Sequence, residues 1–147
     1  MVTSFNQILI IDDNDIDAFI LERIIDKSAF CGEVLSKYWA QEAIDFLQEN
    51  DHLHGKIPSL IFLDINMPVM NGFEFLEAFA QLSDVVKMRS KVVMISTSNH
   101  LQDRQKALNN PYVHDYLIKP ADPALVDKVM QEVDLIIPSP VYRSREC

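Results

Sequence analysis

Four short apolar runs decide what this chain is able to become: Ile8-Leu9-Ile10-Ile11, Leu60-Ile61-Phe62-Leu63, Val92-Val93-Met94-Ile95 and Tyr116-Leu117-Ile118. Each is rich in β-branched or aromatic residues. Their apolarity is continuous rather than alternating, the pattern of strands covered on both faces in a parallel sheet. A fifth candidate, Val34 to Trp39, contains Ser36 and Lys37 and reads as an edge strand. Helical spacing fills the intervals. Ile16, Phe19, Ile20 and Ile24 share one face of a segment capped by Asn14 or Asp15, Ala43, Ile44 and Leu47 form a second stripe, and Phe75, Leu76, Phe79 and Leu82 a third. A weaker fourth helix runs from about Leu101 to Leu108, with Asn99 and Gln102 at capping-box spacing. The last opens at Pro123, a good first-turn residue, and carries Leu125, Val126, Val129, Met130, Val133 and Ile136 along one stripe. Strand and helix thus alternate five times. This is the signature of an α/β, doubly wound parallel sheet with helices on both faces and right-handed crossovers.

The chain of 147 residues fits one domain and can bury a core without a disulfide or structural metal. Net charge is −9, which argues against non-specific binding to nucleic acid or to an anionic membrane and favours cations or a basic partner. No apolar run approaches the roughly 18–20 residues of a membrane span. The start MVTSFNQ has no basic region followed by a long apolar stretch, and Cys31 and Cys147 make no disulfide framework. A cytoplasmic protein is expected. Residues 138–147, PSPVYRSREC, read as a frayed tail, and nothing after residue 137 is long enough for a second domain. SDVVKMRSK reads as a connector, His52 and His54 as loop residues, and His100 and His114 as surface residues.

The stretch FLDINMPVMNG ends an apolar run on a carboxylate, Asp64. In open α/β sheets, ligands bind beyond the carboxyl ends of the strands. There the first strand supplies Asp12 and Asp13, the third Asp64, the fourth Ser96 and Thr97, and the fifth Lys119. Singly, each has an ordinary explanation as a cap, a turn or a surface residue. Jointly, they place polar groups at one sheet edge, which independent accidents do not do. Three adjacent carboxylates repel, so at least one pKa should be raised unless a cation intervenes. An oxygen-only set without histidine or cysteine suits Mg²⁺, with the backbone carbonyl of Asn66 as a further ligand. A metal, an ammonium and a hydroxyl around one carboxylate are what an aspartyl phosphate requires.

The pieces ILIIDDND, LIFLDINMPVMNGFEFL, VVMISTS and DYLIKP together resemble the receiver domain of two-component response regulators, in the family's order and spacing, from about residue 5 to 137. The resemblance implies a flavodoxin-like receiver fold with strand order 2-1-3-4-5 and five helices. It implies that Asp64 accepts a phosphoryl group and that Asp12 and Asp13 are the acidic pair, Asp13 the direct Mg²⁺ ligand and Asp12 acting through water. Ser96 takes the switch-hydroxyl position, Lys119 the phosphoryl-contacting position with a cis peptide to Pro120, and Tyr116 that of the aromatic which swings inward. Gly72 lies where the chain turns into the third helix. Expected partners are a sensor histidine kinase or histidine phosphotransfer domain as donor and a downstream protein on the helix 4–strand 5–helix 5 face. A homodimer through that face is a further option. No direct nucleic-acid or membrane contact is expected, since no output module follows. Such a protein assists its own phosphorylation and dephosphorylation and is not a turnover enzyme.

Two departures stand out. Thr97 occupies a position often small in the family, which should slow attack by water. NNPYVHDY lacks the glycine common before the fifth strand, so the turn should be rebuilt around Pro111. Three rivals differ in chemistry. A haloacid-dehalogenase-like phosphatase needs a second Asp two residues after the nucleophile, where Asn66 stands. A flavodoxin-like redox protein needs a Ser/Thr/Gly-rich phosphate loop, where DDND would repel the phosphate. A phosphorylation-independent interaction scaffold remains the alternative, against which the intact acidic set and lysine argue.

Overall fold

The alternation of strand and helix runs through residues 6–28, 30 and 32–137, the part of the chain that the computed structural model describes. In chain order the elements are β1 (Gln7–Ile11), α1 (Asp15–Asp26), β2 (Glu33–Lys37), α2 (Ala40–Glu49), a 3₁₀ turn (His54–Lys56), β3 (Leu60–Leu63), α3 (Gly72–Phe79), α4 (Asp84–Arg89), β4 (Lys91–Ser96), α5 (Leu101–Leu108), β5 (Val113–Ile118) and α6 (Pro123–Ile136). The five strands form one sheet of order β2-β1-β3-β4-β5, and every neighbouring pair is parallel. The tail, residues 138–147, and Cys31 lie outside the described residues.

Successive side chains of a strand point to opposite faces, and the central strands are apolar on both. Leu9, Ile11, Ile61, Leu63, Val92, Met94 and Tyr116 pack under α2, α3, α4 and α5. Ile8, Ile10, Leu60, Phe62, Val93, Ile95 and Leu117 pack under α1 and α6. Burying one such aliphatic or aromatic side chain contributes about 1.5–3 kcal/mol, so these two layers dominate the stability. Edge strand β2 is only partly buried, as its polar composition implied.

Four local features differ from the sequence reading. The segment read as a connector contains α4, capped by the Ser83 hydroxyl on the Val86 N–H. Six residues are too few to display a helical period. Helix α5 is not opened by Asn99: its N-cap is His100, which makes no side-chain bond, and Ser98 instead accepts from His100 N–H and donates to Asp103. In α1, Asn14 caps as expected, but the stripe of Ile16, Phe19 and Ile20 faces solvent, and Ala18, Leu21 and Ile25 meet the sheet. The helix carries two apolar stripes, and the one containing a small residue lets the backbone approach the strands. His114 is half-buried, with Glu132 3.0 Å from its ring.

The turn before β5 is rebuilt around Asn110-Pro111. The Asn110 side chain accepts from Tyr112 N–H at 2.9 Å, its carbonyl accepts from Val113 N–H, and a register shift follows at Val92/Val93. Gly72 serves close approach rather than a special turn. It has no positive φ, but a Cβ there would lie 2.6 Å from the Asp64 carbonyl oxygen. Asn71 and Glu74 form a reciprocal capping box around it, so α3 starts directly against the end of β3.

Between these elements Val69 adopts φ 70°, with Met70 N–H donating to Pro68 carbonyl in a three-residue turn. A β-branched residue is strained there, and Val69 is 92% exposed, so packing does not repay the cost. Val69→Gly should therefore stabilise the fold by about 1 kcal/mol, net of glycine's larger unfolded-state entropy. Urea unfolding measures this; an unchanged or lower midpoint refutes the strain.

Candidate functional site

Strands β1, β3 and β5 each end one residue short of a charged group, β4 ends on Ser96, and backbone hydrogen bonds carry the pairing through these positions. Asp12 N–H donates to Lys37 carbonyl at 3.1 Å, Asp64 N–H to Ile11 carbonyl at 3.0 Å, and Lys119 N–H to Ser96 carbonyl at 2.7 Å. The backbones of these candidate site residues are thus extensions of the sheet itself.

Asp12 and Asp64 are buried, at 4% and 6% exposure, whereas Asp13 is exposed. Oxygens of all three carboxylates lie within 4.8 Å of one another. The Lys119 ammonium enters this cluster from the end of β5, 2.7 Å from Asp12 Oδ2 and 3.6 Å from Asp64 Oδ1. It is also 2.8 Å from Asp17 Oδ2, in the first turn of α1. Asp17 was absent from the sequence reading. Its only signal there was its place one helical turn after the Asn14 cap, where an acidic residue is already explained by the helix dipole. The Lys119–Pro120 peptide is cis.

Burial is the chief cause lifting the Asp64 carboxyl from its ordinary 3.8 to about 6; the Lys119 ammonium opposes it, the Asp12 carboxylate adds to it, and Ile65 N–H, bonded to Oδ1 at 2.9 Å, also opposes it. The pKa expected to rise among three carboxylates does so, though desolvation outweighs their repulsion. Desolvation pulls the Lys119 ammonium down. Its bonds to Asp12 and Asp17 and the Asp64 charge outweigh that, and its pKa stands above the usual lysine value.

Ser96 is fully buried, and its hydroxyl accepts from Ser98 N–H at 3.2 Å. Thr97 and Asn66 are exposed at the same edge. Tyr116, the aromatic expected to swing inward, already stands inward in this structure. Its ring is already buried, at 2% exposure, with its hydroxyl donating to the Ser98 carbonyl at 2.7 Å. The Arg104 guanidinium holds the Tyr116 carbonyl at 3.1 Å, tying α5 to β5.

An oxygen-lined acidic pocket with one ammonium, at the carboxyl edge of a 2-1-3-4-5 parallel sheet, is the construction of a signalling receiver domain. The chain matches the family described as response regulator receiver domain over residues 8–131 and belongs to it. It is similar to a two-component response regulator from Cytophaga hutchinsonii, with a TM-score of 0.81 and 32% identity over 88% of this chain and 97% of that one. It is 27% identical to the probable methanogenesis regulatory protein FilR2 of Methanothrix harundinacea, covering 86% of this chain and 79% of that protein. It is 26% identical to the response regulator Rcp1 of Synechocystis, covering 86% and 85%. No helix among the described residues is long and apolar enough to cross a membrane.

A raised carboxyl pKa makes stability depend on pH with a definite sign. The folded protein holds the Asp64 proton more tightly than the unfolded chain does, so this contribution is complete below about 3.8 and is lost as pH rises through about 6. With metal chelated, Asp64→Asn should therefore be more stable than wild type at neutral pH, by on the order of 2–3 kcal/mol, the gap closing toward about pH 4. Urea titrations across that range test it, and a pH-independent gap contradicts it.

Proposed function

We propose that this receiver domain accepts a phosphoryl group from a phosphohistidine onto Asp64 and passes the signal to a protein partner. One observation carries the reading: a buried carboxyl titrating near 6 lies among two further carboxylates and one ammonium. At neutral pH that carboxyl is mostly ionised, so it is a competent nucleophile. An Asp64 oxygen attacks phosphorus, the P–N bond of the donor breaks, and the imidazole leaves with the electron pair.

Asp12, Asp13 and Asp64, with the carbonyl of Asn66, would hold a divalent cation. The donor set is hard oxygen only, which fits Mg²⁺. A manganese-bound form of Rcp1 is known, a dication with the same taste for oxygen. When bound, the metal neutralises charge on the transferring group. This chain's residues orient the rest: Lys119 donates to a phosphoryl oxygen, and the Ser96 hydroxyl, released from Ser98 N–H, donates to another. Since Ser98 also holds the Tyr116 hydroxyl through its carbonyl, movement at Ser96 reaches α5 and β5 through the same short loop. Phosphorylation then biases an arrangement the chain can already adopt, with Tyr116 inward.

The output surface we assign is α5–β5–α6, the face expected of helix 4–strand 5–helix 5, renumbered because α4 adds one helix. It exposes Leu101, Leu108, Ile118 and Leu125 to a downstream protein or a second copy. A histidine kinase or phosphotransfer domain must approach the strand-end edge, where the uncovered Ile16, Phe19 and Ile20 of α1 lie beside the Asp17-Lys119 pair. The reading of a phosphorylation-independent scaffold is disfavoured by the buried, pKa-shifted Asp64, a costly arrangement for a surface that only binds.

Two experiments test this. Acetyl phosphate with Mg²⁺ should label the wild type and leave Asp64→Asn unlabelled; an unlabelled wild type, or label retained in the variant, defeats the proposal. Thr97, exposed next to Ser96, should shield the phosphoryl group from water. Thr97→Ala is expected to speed its hydrolysis by about threefold or more, read as decay of labelled protein, and an unchanged decay excludes the shielding role.

A further inference from the structure

The Lys119 ammonium has three N–H donors. Two are spent on carboxylates: Asp12 Oδ2 at 2.7 Å and Asp17 Oδ2 at 2.8 Å. The third is left for the Asp64 side, where Oδ1 lies at 3.6 Å, beyond hydrogen-bond range but with room for a group attached to Asp64 to accept it.

The two carboxylates are not equivalent. Asp12 belongs to the acidic cluster that fits a dication, and Asp17 does not. Asp17 sits in the first turn of α1, its backbone N–H held by the Asn14 side chain at 3.0 Å. Its carboxylate is therefore aimed from a fixed helix start across to the end of β5. Asp12, Asp17 and Lys119 share a cleft of about 30 Å³ with Pro120 and Ala121, room for about one water and no substrate. The Lys119 side chain is only 10% exposed and that of Asp17 35%, so the ammonium end of the pair is held inside the cleft while the carboxylate end keeps contact with water.

We infer that Asp17 is a positioning residue for the phosphorylation of Asp64: it anchors the Lys119 ammonium in place while Asp12 and Asp64 are occupied with the metal and the phosphoryl group. The inference rests on the reading of Asp64 as the phosphoacceptor. Without the Asp17 charge, Lys119 keeps as its anchor only Asp12, which the dication also claims, and the ammonium no longer has a fixed position from which to meet the phosphoryl oxygens. Asp17 touches no reacting atom itself; its effect passes through Lys119.

Calorimetric titration of the full chain with Mg²⁺ alone, and with beryllofluoride in excess Mg²⁺, separates the roles. Asp17→Asn should weaken beryllofluoride binding by about fivefold or more, the size of one charge-assisted bond, while Mg²⁺ affinity stays within about twofold. Asp17→Glu, which restores the charge on a longer arm, should recover most of the loss. Thermal unfolding of each variant checks that the fold is intact. An unchanged or tighter affinity in Asp17→Asn, an equal loss of Mg²⁺ affinity, or no recovery in Asp17→Glu overturns the inference. Failure of the wild type to bind beryllofluoride overturns the phosphoacceptor reading instead, so the two failures are distinct.

Discussion

Two carboxylates are buried side by side at the end of this sheet, and a single ammonium makes that arrangement tolerable. Asp12 and Asp64 are almost wholly withdrawn from water, and isolated buried charges cost several kcal/mol each. Lys119 compensates unevenly. It bonds Asp12 directly and reaches Asp64 only through space, so burial lifts the Asp64 pKa against only partial opposition from the ammonium. That inequality leaves Asp64 the carboxyl without a direct bond to the ammonium. The same side-chain type, at the exits of neighbouring strands β1 and β3, meets two environments because a single cation is nearer to one.

Precision at this edge comes from the sheet rather than from the loops. Ladder hydrogen bonds continue into Asp12, Asp64 and Lys119, and α3 begins in contact with the Asp64 backbone because Gly72 has no Cβ. Among the described residues the positive-φ strain falls on Val69, five residues beyond Asp64 and open to solvent. The sheet therefore holds the charges, and the distorted turn at Val69 lies outside it.

Much of this was legible in the amino-acid order, for an identifiable reason. Continuous apolar runs encode strands with two covered faces, and a polar residue directly after such a run must sit at the strand's exit. Asp12, Asp64, Ser96 and Lys119 are thus placed at the strand exits by the amino-acid order alone. What stayed hidden was whatever periodicity does not encode. Helix α1 has two apolar stripes, and spacing cannot say which meets the sheet; the Ala18 side did, because a small residue permits close packing. Helix α4 is too short to show a period. The Asp17–Lys119 contact joins residues more than a hundred apart, and Asp17 already had a sufficient local explanation as a first-turn acid. Long-range pairings of this kind emerge only when the fold closes.

The sheet also acts as a partition wall. Its two apolar layers are separate clusters, one holding Tyr116 with α2 to α5, the other α1 and α6. Side-chain rearrangement in one layer has no packed neighbour through which to push on the other; only the strand backbones and their exits are common to both. Lys119 and Ser96 stand at that shared rim, one tied to α1 through Asp17 and the other to the Tyr116 side through Ser98. A charge placed at that rim would therefore bear on both layers at once, through one exit residue for each.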